Sequence, residues 1–148
     1  MQLTAISSHV PIEQLENDLE AVIAYHTEIG IKYIACPYLT EEQRGSKEDY
    51  LKLAELFNQV GKATKAAGIQ FVYHHHDFEF ESFDGKYALD LIFENTDPEL
   101  VQLECDIFWV EFAGISPTEY IEKYHQRVPL VHLKDMKTEP EKNVCRSR

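Results

Sequence analysis

Apolar residues fall into two alternating rhythms along this chain. Between Pro11 and Ile29, the residues Ile12, Leu15, Leu19, Val22, Ile23 and Ile29 recur mostly at threes and fours, with Pro11 at a first-turn position and Gly30 as the stop. That spacing predicts one helix. Lys32 to Cys36 is a short β-favouring run closed by Pro37. The cycle then repeats. Ser46 to Asp49 forms a capping box, Tyr50, Leu53, Ala54, Phe57 and Val60 make one stripe, and Gly68 terminates it. Gly61 inside this helix predicts a bend or a close approach, because a helical Gly costs about 1 kcal/mol relative to Ala.

Further strands are predicted over Leu3 to Ser7, Ile69 to His74, Val101 to Ile107 and Pro129 to Leu133. Helices are predicted over Tyr87 to Asn95 and from the Ser116-Pro117-Thr118-Glu119 box to about Tyr124. Strands separated by single helices are expected to lie parallel, with right-handed crossovers. Two architectures accept the pattern, an open doubly wound sheet or part of an eight-stranded barrel. Alternation within the fourth strand favours the barrel. Val101, Leu103 and Cys105 face one way and Gln102, Glu104 and Asp106 the other, whereas a sheet covered by helices on both sides is apolar on both faces. Val131 and Leu133, opposed to His132 and Lys134, show a milder form.

Composition narrows the function classes. A content of 44% hydrophobic and 27% charged residues in 148 is that of one globular domain. The net charge of −12 has the wrong sign for gripping phosphate backbones or anionic lipid, so neither nucleic acid nor membrane is an expected partner. Cys36, Cys105 and Cys145 show no CxxC spacing and suggest no disulfide framework, and a reducing, cytoplasmic setting fits them best.

Chemistry gathers at three strand ends. The third strand runs into His74, His75, His76 and Asp77, the fourth ends in Asp106, and the fifth ends in His132, Lys134 and Asp135. Imidazole and carboxylate together suit a divalent cation such as Mn, Zn, Co or Mg, and they converge only if the sheet curls. His74 and His76 share a face, with His75 turned to the helix layer. Each residue also has an ordinary reading: solvated histidines, an Asp106 that caps the following segment, and a His132 satisfied in the core. Trp109 either walls a sugar site by stacking or packs in the core, and Lys134 either holds a substrate oxygen or is a surface ion. Tyr38 and Arg44 lie in a loop at the same mouth.

The stretch Gly68-Ile69-Gln70-Phe71-Val72-Tyr73-His74-His75-His76-Asp77-Phe78-Glu79-Phe80 resembles the G-I-x-x-x-Y-H-N-H-x-x-E-F motif of the sugar phosphate isomerase/epimerase group, the xylose-isomerase-like barrels, with His75 at the Asn position. Leu103 to Val110, then Ala113, Gly114 and Pro117, is similar to that group's E-L-D-x-x-W-V…A-G-x-x-P segment, and Val131 to Met136 to its V-H-L-K-D-M strand end. The resemblance implies an α/β fold of the (β/α)8 TIM-barrel type with one divalent metal at its mouth. It implies Asp106 and His132 as ligands together with Glu79, or His74 in its place, with Glu79 and Lys134 as catalytic groups, His74 and His76 as ligands or substrate contacts, and Trp109 against the substrate. Glu104 is a group behind them. The implied reaction is isomerisation or epimerisation of a sugar, sugar phosphate or polyol through an enediolate-type proton transfer.

Eight units of about thirty residues need some 240 residues, so this chain is expected to be an incomplete barrel over residues 1–137, which the resemblance implies holds the third to seventh strands, followed by a polar tail over 138–148 without strand character. The last strand, with its acid, is expected to be missing. A truncated chain with open barrel edges is expected to associate with another copy, and a non-catalytic fragment that binds a sugar or a partner is the alternative function.

Overall fold

The computed structural model describes residues 4–138 and 143–147. Five parallel strands, β1 (Ser7–His9), β2 (Tyr33–Cys36), β3 (Gln70–His74), β6 (Val101–Asp106) and β7 (Leu130–His132), make one sheet in the order β1-β2-β3-β6-β7. Chain order and spatial order coincide. A doubly wound sheet reverses its order at a switch point, whereas successive barrel strands do not, so the open-sheet alternative is set aside. Five strands joined by four helical connections in an arc are the predicted incomplete barrel.

A side-chain contact measures the curl. From β1 to β6 is three strand steps, about 14 Å along a flat sheet. His9 Nε2 nevertheless lies 2.9 Å from Glu104 Oε2, closer than the two side chains could bring themselves across a flat surface.

The long helix α3 (Lys47–Ala66) starts as predicted, with the Ser46 hydroxyl accepting from the Asp49 N–H. Its apolar stripe covers the outer face of the sheet, where Phe57 packs 5.1 Å from both Phe71 and Tyr73. Gly61 is the close approach. A Cβ there would lie 2.4 Å from the carbonyl oxygen of Leu100, so only Gly lets α3 rest on the entry to β6. Beside it, α4 (Ala88–Glu94) presents the buried Asp90 to three donors around α6 (Pro117–Lys123): Tyr120 Oη at 3.0 Å, Lys123 Nζ at 2.7 Å and the Tyr124 hydroxyl. Burial is thereby offset, and the two helices are tied together.

Several elements depart from the sequence expectation. The single helix from Pro11 to Ile29 is two, α1 (Ile12–Asn17) and α2 (Leu19–Glu28), broken at Asp18 with φ −131°. The Asn-Asp pair favours local turns over helix, while Leu15 and Val22 stay buried on both sides of the break. The first strand is Ser7–His9 rather than Leu3 to Ser7; Leu3 lies outside the described residues. Its register is pinned by the buried Val10, whose N–H donates to the Ala35 carbonyl at 2.9 Å.

The β6 strand stops at Asp106, because that carboxylate caps an unpredicted helix, α5 (Ile107–Phe112). Two hairpins are also new. One pairs β4 (Ser82–Phe83) with β5 (Lys86–Tyr87) through Asp84 and Gly85, both at positive φ, the backbone that an Asp-Gly turn supplies. The other pairs β8 (Lys134–Thr138) with β9 (Asn143–Ser147), where no strand was expected. These two strands pair with each other and not with the barrel sheet, so they need no barrel-type alternation. No helix among the described residues is long and apolar enough to cross a membrane.

Replacing Gly61 by Ala is expected to lower stability by about 1–3 kcal/mol, the usual range for an overpacked contact, because the obstacle is backbone and cannot rotate away. Urea unfolding of the two proteins would measure it, and an unchanged midpoint would contradict the close approach.

Candidate functional site

The inner face of the arc is polar where the outer is apolar. His74 at the end of β3, Glu104 and Asp106 on β6, and His132 at the end of β7 project from it, in rows set by the pairings His74 to Glu104 and Asp106 to His132. Asp106 divides its two oxygens. Oδ1 accepts from the backbone N–H groups of Phe108 and Trp109, capping α5. Oδ2 faces the mouth, 3.5 Å from His74 Nε2, 3.3 Å from His132 Nδ1 and 2.7 Å from Lys134 Nζ. The cap uses one oxygen and the cluster contacts use the other.

Among the described residues, two groups of side chains place ligand atoms close enough to hold a metal ion: His74, Asp106 and His132, and His9, His74 and Glu104. His132 Nδ1 is buried without a hydrogen-bond partner among the described residues, which costs free energy unless something else satisfies it, while Asp106 Oδ2 has the Lys134 ammonium at 2.7 Å. The donor set, imidazole plus carboxylate, is one that divalent transition metals accept.

Glu79 is not brought to either group. It is fully buried, with Oε1 taking the Tyr73 hydroxyl and Oε2 accepting from the His76 N–H at 2.8 Å. The one-turn 3₁₀ helix Phe78–Phe80 after β3 carries it to the Tyr73 side of the sheet, away from His74. Burial raises its carboxyl to about 7, against the lowering pull of those hydrogen bonds.

His75 is buried, as expected for the helix side, but its task was not legible. Its Nδ1 meets the His76 carbonyl at 2.9 Å and its Nε2 accepts from the Asp106 N–H at 3.2 Å, so the neutral ring splints β3 to the site aspartate. Burial lowers its pKa to about 4, keeping that acceptor free.

His76 belongs to an aromatic wall. Its ring stacks on Phe78 at 5.5 Å and 9°, with Tyr38 at 5.4 Å, Trp109 at 5.2 Å and His74 at 5.2 Å. Arg44 covers Phe78 at 3.8 Å and Lys134 stands 5.3 Å over Trp109. Trp109 Nε1 and His76 Nδ1 are buried without partners here. Asp135 is exposed.

His9 escaped the sequence reading because the first strand was placed too early. Strand-end polarity, the same signal that marked Asp106 and His132, was present in it. Glu104 lies between His9 at 2.9 Å and His74 Nδ1 at 3.2 Å. Burial opposes its ionisation, yet the two imidazoles outweigh it and hold the carboxyl at about 2.

A solved sugar phosphate isomerase/epimerase from Parabacteroides distasonis ATCC 8503 superposes with a TM-score of 0.78 at 30% identity, over 90% of this chain and 52% of that one. The chain resembles the xylose-isomerase-like sugar phosphate isomerase/epimerase barrels. An inosose dehydratase of Bacillus cereus is 34% identical over 94 residues, 64% of this chain and 31% of the relative. An inosose dehydratase of Clostridium tetani is 34% identical over 101 residues, 68% of this chain and 33% of the relative. The chain thus spans about a third of these curated relatives and about half of the solved structure. No family model matches it.

Glu79 makes stability depend on pH in a definite sense. Its folded pKa of about 7 exceeds the ordinary 4.5, so the folded state holds a proton that the unfolded chain releases between those values. Stability from this group is present below about 4.5 and lost as pH rises through about 7, by at most about 3 kcal/mol. His75, lowered from 6.5 to about 4, acts oppositely, so the comparison must be with Glu79→Gln. The stability of that variant relative to wild type is expected to rise from pH 4.5 to 7 in urea titrations; a constant difference would show that Glu79 titrates normally.

Proposed function

We propose that this chain carries a divalent-cation centre for sugar or polyol chemistry of the isomerase or epimerase type, in which a proton is moved next to a carbonyl. One observation carries the reading: Asp106 Oδ2, His132 Nδ1 and His74 Nε2 converge at the C-terminal ends of three parallel strands. That is the end of a β/α barrel where active sites lie. Asp106, His132 and His74 would hold the ion, which when bound polarises a substrate carbonyl and its neighbouring hydroxyl.

The remaining roles follow from position. His76, Trp109 and Tyr38 would receive the apolar C–H face of a sugar, with the Trp109 and His76 ring nitrogens available to its oxygens. Lys134, now on Asp106 Oδ2, would turn to a substrate oxygen once a cation neutralises that carboxylate. Glu79 would act through the His76 backbone that it holds. Likeness to sugar phosphate isomerase/epimerase and inosose dehydratase proteins supports this substrate class.

A second reading, a sugar-binding chain without turnover, is favoured by one observation. Both oxygens of Glu79 are hydrogen-bonded, Glu104 Oε2 lies between two imidazoles, and Asp106 Oδ2 is paired with Lys134, so each carboxylate already has a partner. Association through the outer edges of β1 and β7, which pair with no further described strand, beside the exposed Ile6, Val131 and Leu133, would be the way to enclose such a site.

After chelator-free purification, calorimetry with Mn, Zn and Co is expected to find one ion per chain, with Asp106→Ala binding at least about 100-fold more weakly. Equal affinity in the two proteins, or no binding at all, would remove the centre. Assays over ketoses and inosose-type compounds separate the readings: proton exchange or product supports the first, and saturable binding without either supports the second.

A further inference from the structure

The two ion-binding groups share one imidazole, and a single neutral ring has one N–H and one lone pair to offer. On the Glu104 side the contacts complement each other, since His9 Nε2 at 2.9 Å and His74 Nδ1 at 3.2 Å approach the same carboxylate oxygen from two directions. The His74 contact is not a well-aligned hydrogen bond, but Nδ1 is nearer to Glu104 Oε2 than Nε2 is to Asp106 Oδ2, 3.2 Å against 3.5 Å. Two N–H donors on one oxygen suit an ionised carboxylate. On the Asp106 side the carboxylate oxygen already meets Lys134 Nζ at 2.7 Å. His132 Nδ1 and Asp106 Oδ2 lie 3.3 Å apart without a hydrogen bond, an arrangement that a cation between them would satisfy. These distances favour the tautomer with the proton on Nδ1 and the lone pair on Nε2.

We infer that Glu104 and His9 are positioning residues for the proposed centre: Glu104 accepts from His74 Nδ1–H, His9 steadies Glu104, and His74 Nε2 is thereby aimed at the point shared with Asp106 and His132. This rests on the proposed function and deepens it. The first strand then serves the ion without touching it, through a relay that runs from β1 to β6 and back to β3. Carboxylates that orient a ligating imidazole in this way fix its tautomer and raise its basicity, and losing them costs about 10–100-fold in metal affinity. His9, with a side chain 42% exposed, can be removed with little disturbance to packing, so it provides a test even if a Glu104 variant folds poorly.

The experiment titrates wild type, Asp106→Ala, Glu104→Gln and His9→Ala with Zn and with Co, records the visible spectrum of the Co-saturated proteins, and measures thermal midpoints of the ion-free chains. One ion per wild-type chain is expected, with Glu104→Gln weaker by about 10–100-fold and His9→Ala weaker in the same direction by less. Both variants are expected to shift the Co spectrum, while the ion-free midpoint of His9→Ala stays near wild type. Wild-type affinity and an unchanged Co spectrum in both, with binding lost in Asp106→Ala, would overturn the relay and leave the centre standing. Affinity that falls only in step with the ion-free midpoint, at constant spectrum, would make the two residues structural and overturn it as well. Two ions per chain, one of them lost in His9→Ala, would replace the relay with a second site. No ion in wild type would remove centre and relay together.

Discussion

Curvature of the sheet is the constraint on which the site depends. Side chains on the inner face of a flat parallel sheet stand about 4.8 Å apart per strand and would leave His9, Glu104 and His132 strung out in a line. Curling turns that line into a ring, and the contact between His9 and Glu104 across three strand steps is its direct signature. The helices serve the same end. α3 lies against the outer face through Gly61, and the Asp90 knot ties α4 to α6, so they hold the convex side while the concave side stays polar.

Within that ring, Asp106 joins local structure to chemistry. Its peptide N–H is splinted by His75, one carboxylate oxygen starts α5, and the other faces the cluster. A side chain with that many obligations has little rotamer freedom left, which is the condition for holding an ion in a defined place. The same accounting explains why Glu79 stands apart. It satisfies the Tyr73 hydroxyl and the loop that follows β3, which orders the His76 wall beside the cluster.

Much of this was legible in the residues. Alternation in Val101 to Asp106 revealed a one-sided sheet, the strand-end histidines and aspartate marked the mouth, and both Ser46 and Ser116 cap where their boxes predicted. What escaped had physical causes. Asp106 taken by itself is a strand residue or a cap, and α5 emerges only when it is combined with the Gly114 stop, although both signals were present. The Asp84-Gly85 turn and the Asn17-Asp18 break are short-range events inside longer patterns. Glu79 could not be assigned to a face from spacing, because a single 3₁₀ turn reverses the direction in which its side chain leaves the chain.

The coincidence of chain order and spatial order has a kinetic side. Each strand pairs with the one most recently laid down in the sheet, never with a partner that has yet to be made. Loop closure is then confined to one β/α step at a time, and contact order stays low for a parallel sheet. Such a chain can add pairings as it leaves the ribosome, so β1 to β3 can be assembled, with His9 and His74 in place, before the β6 carboxylates that they await have been translated.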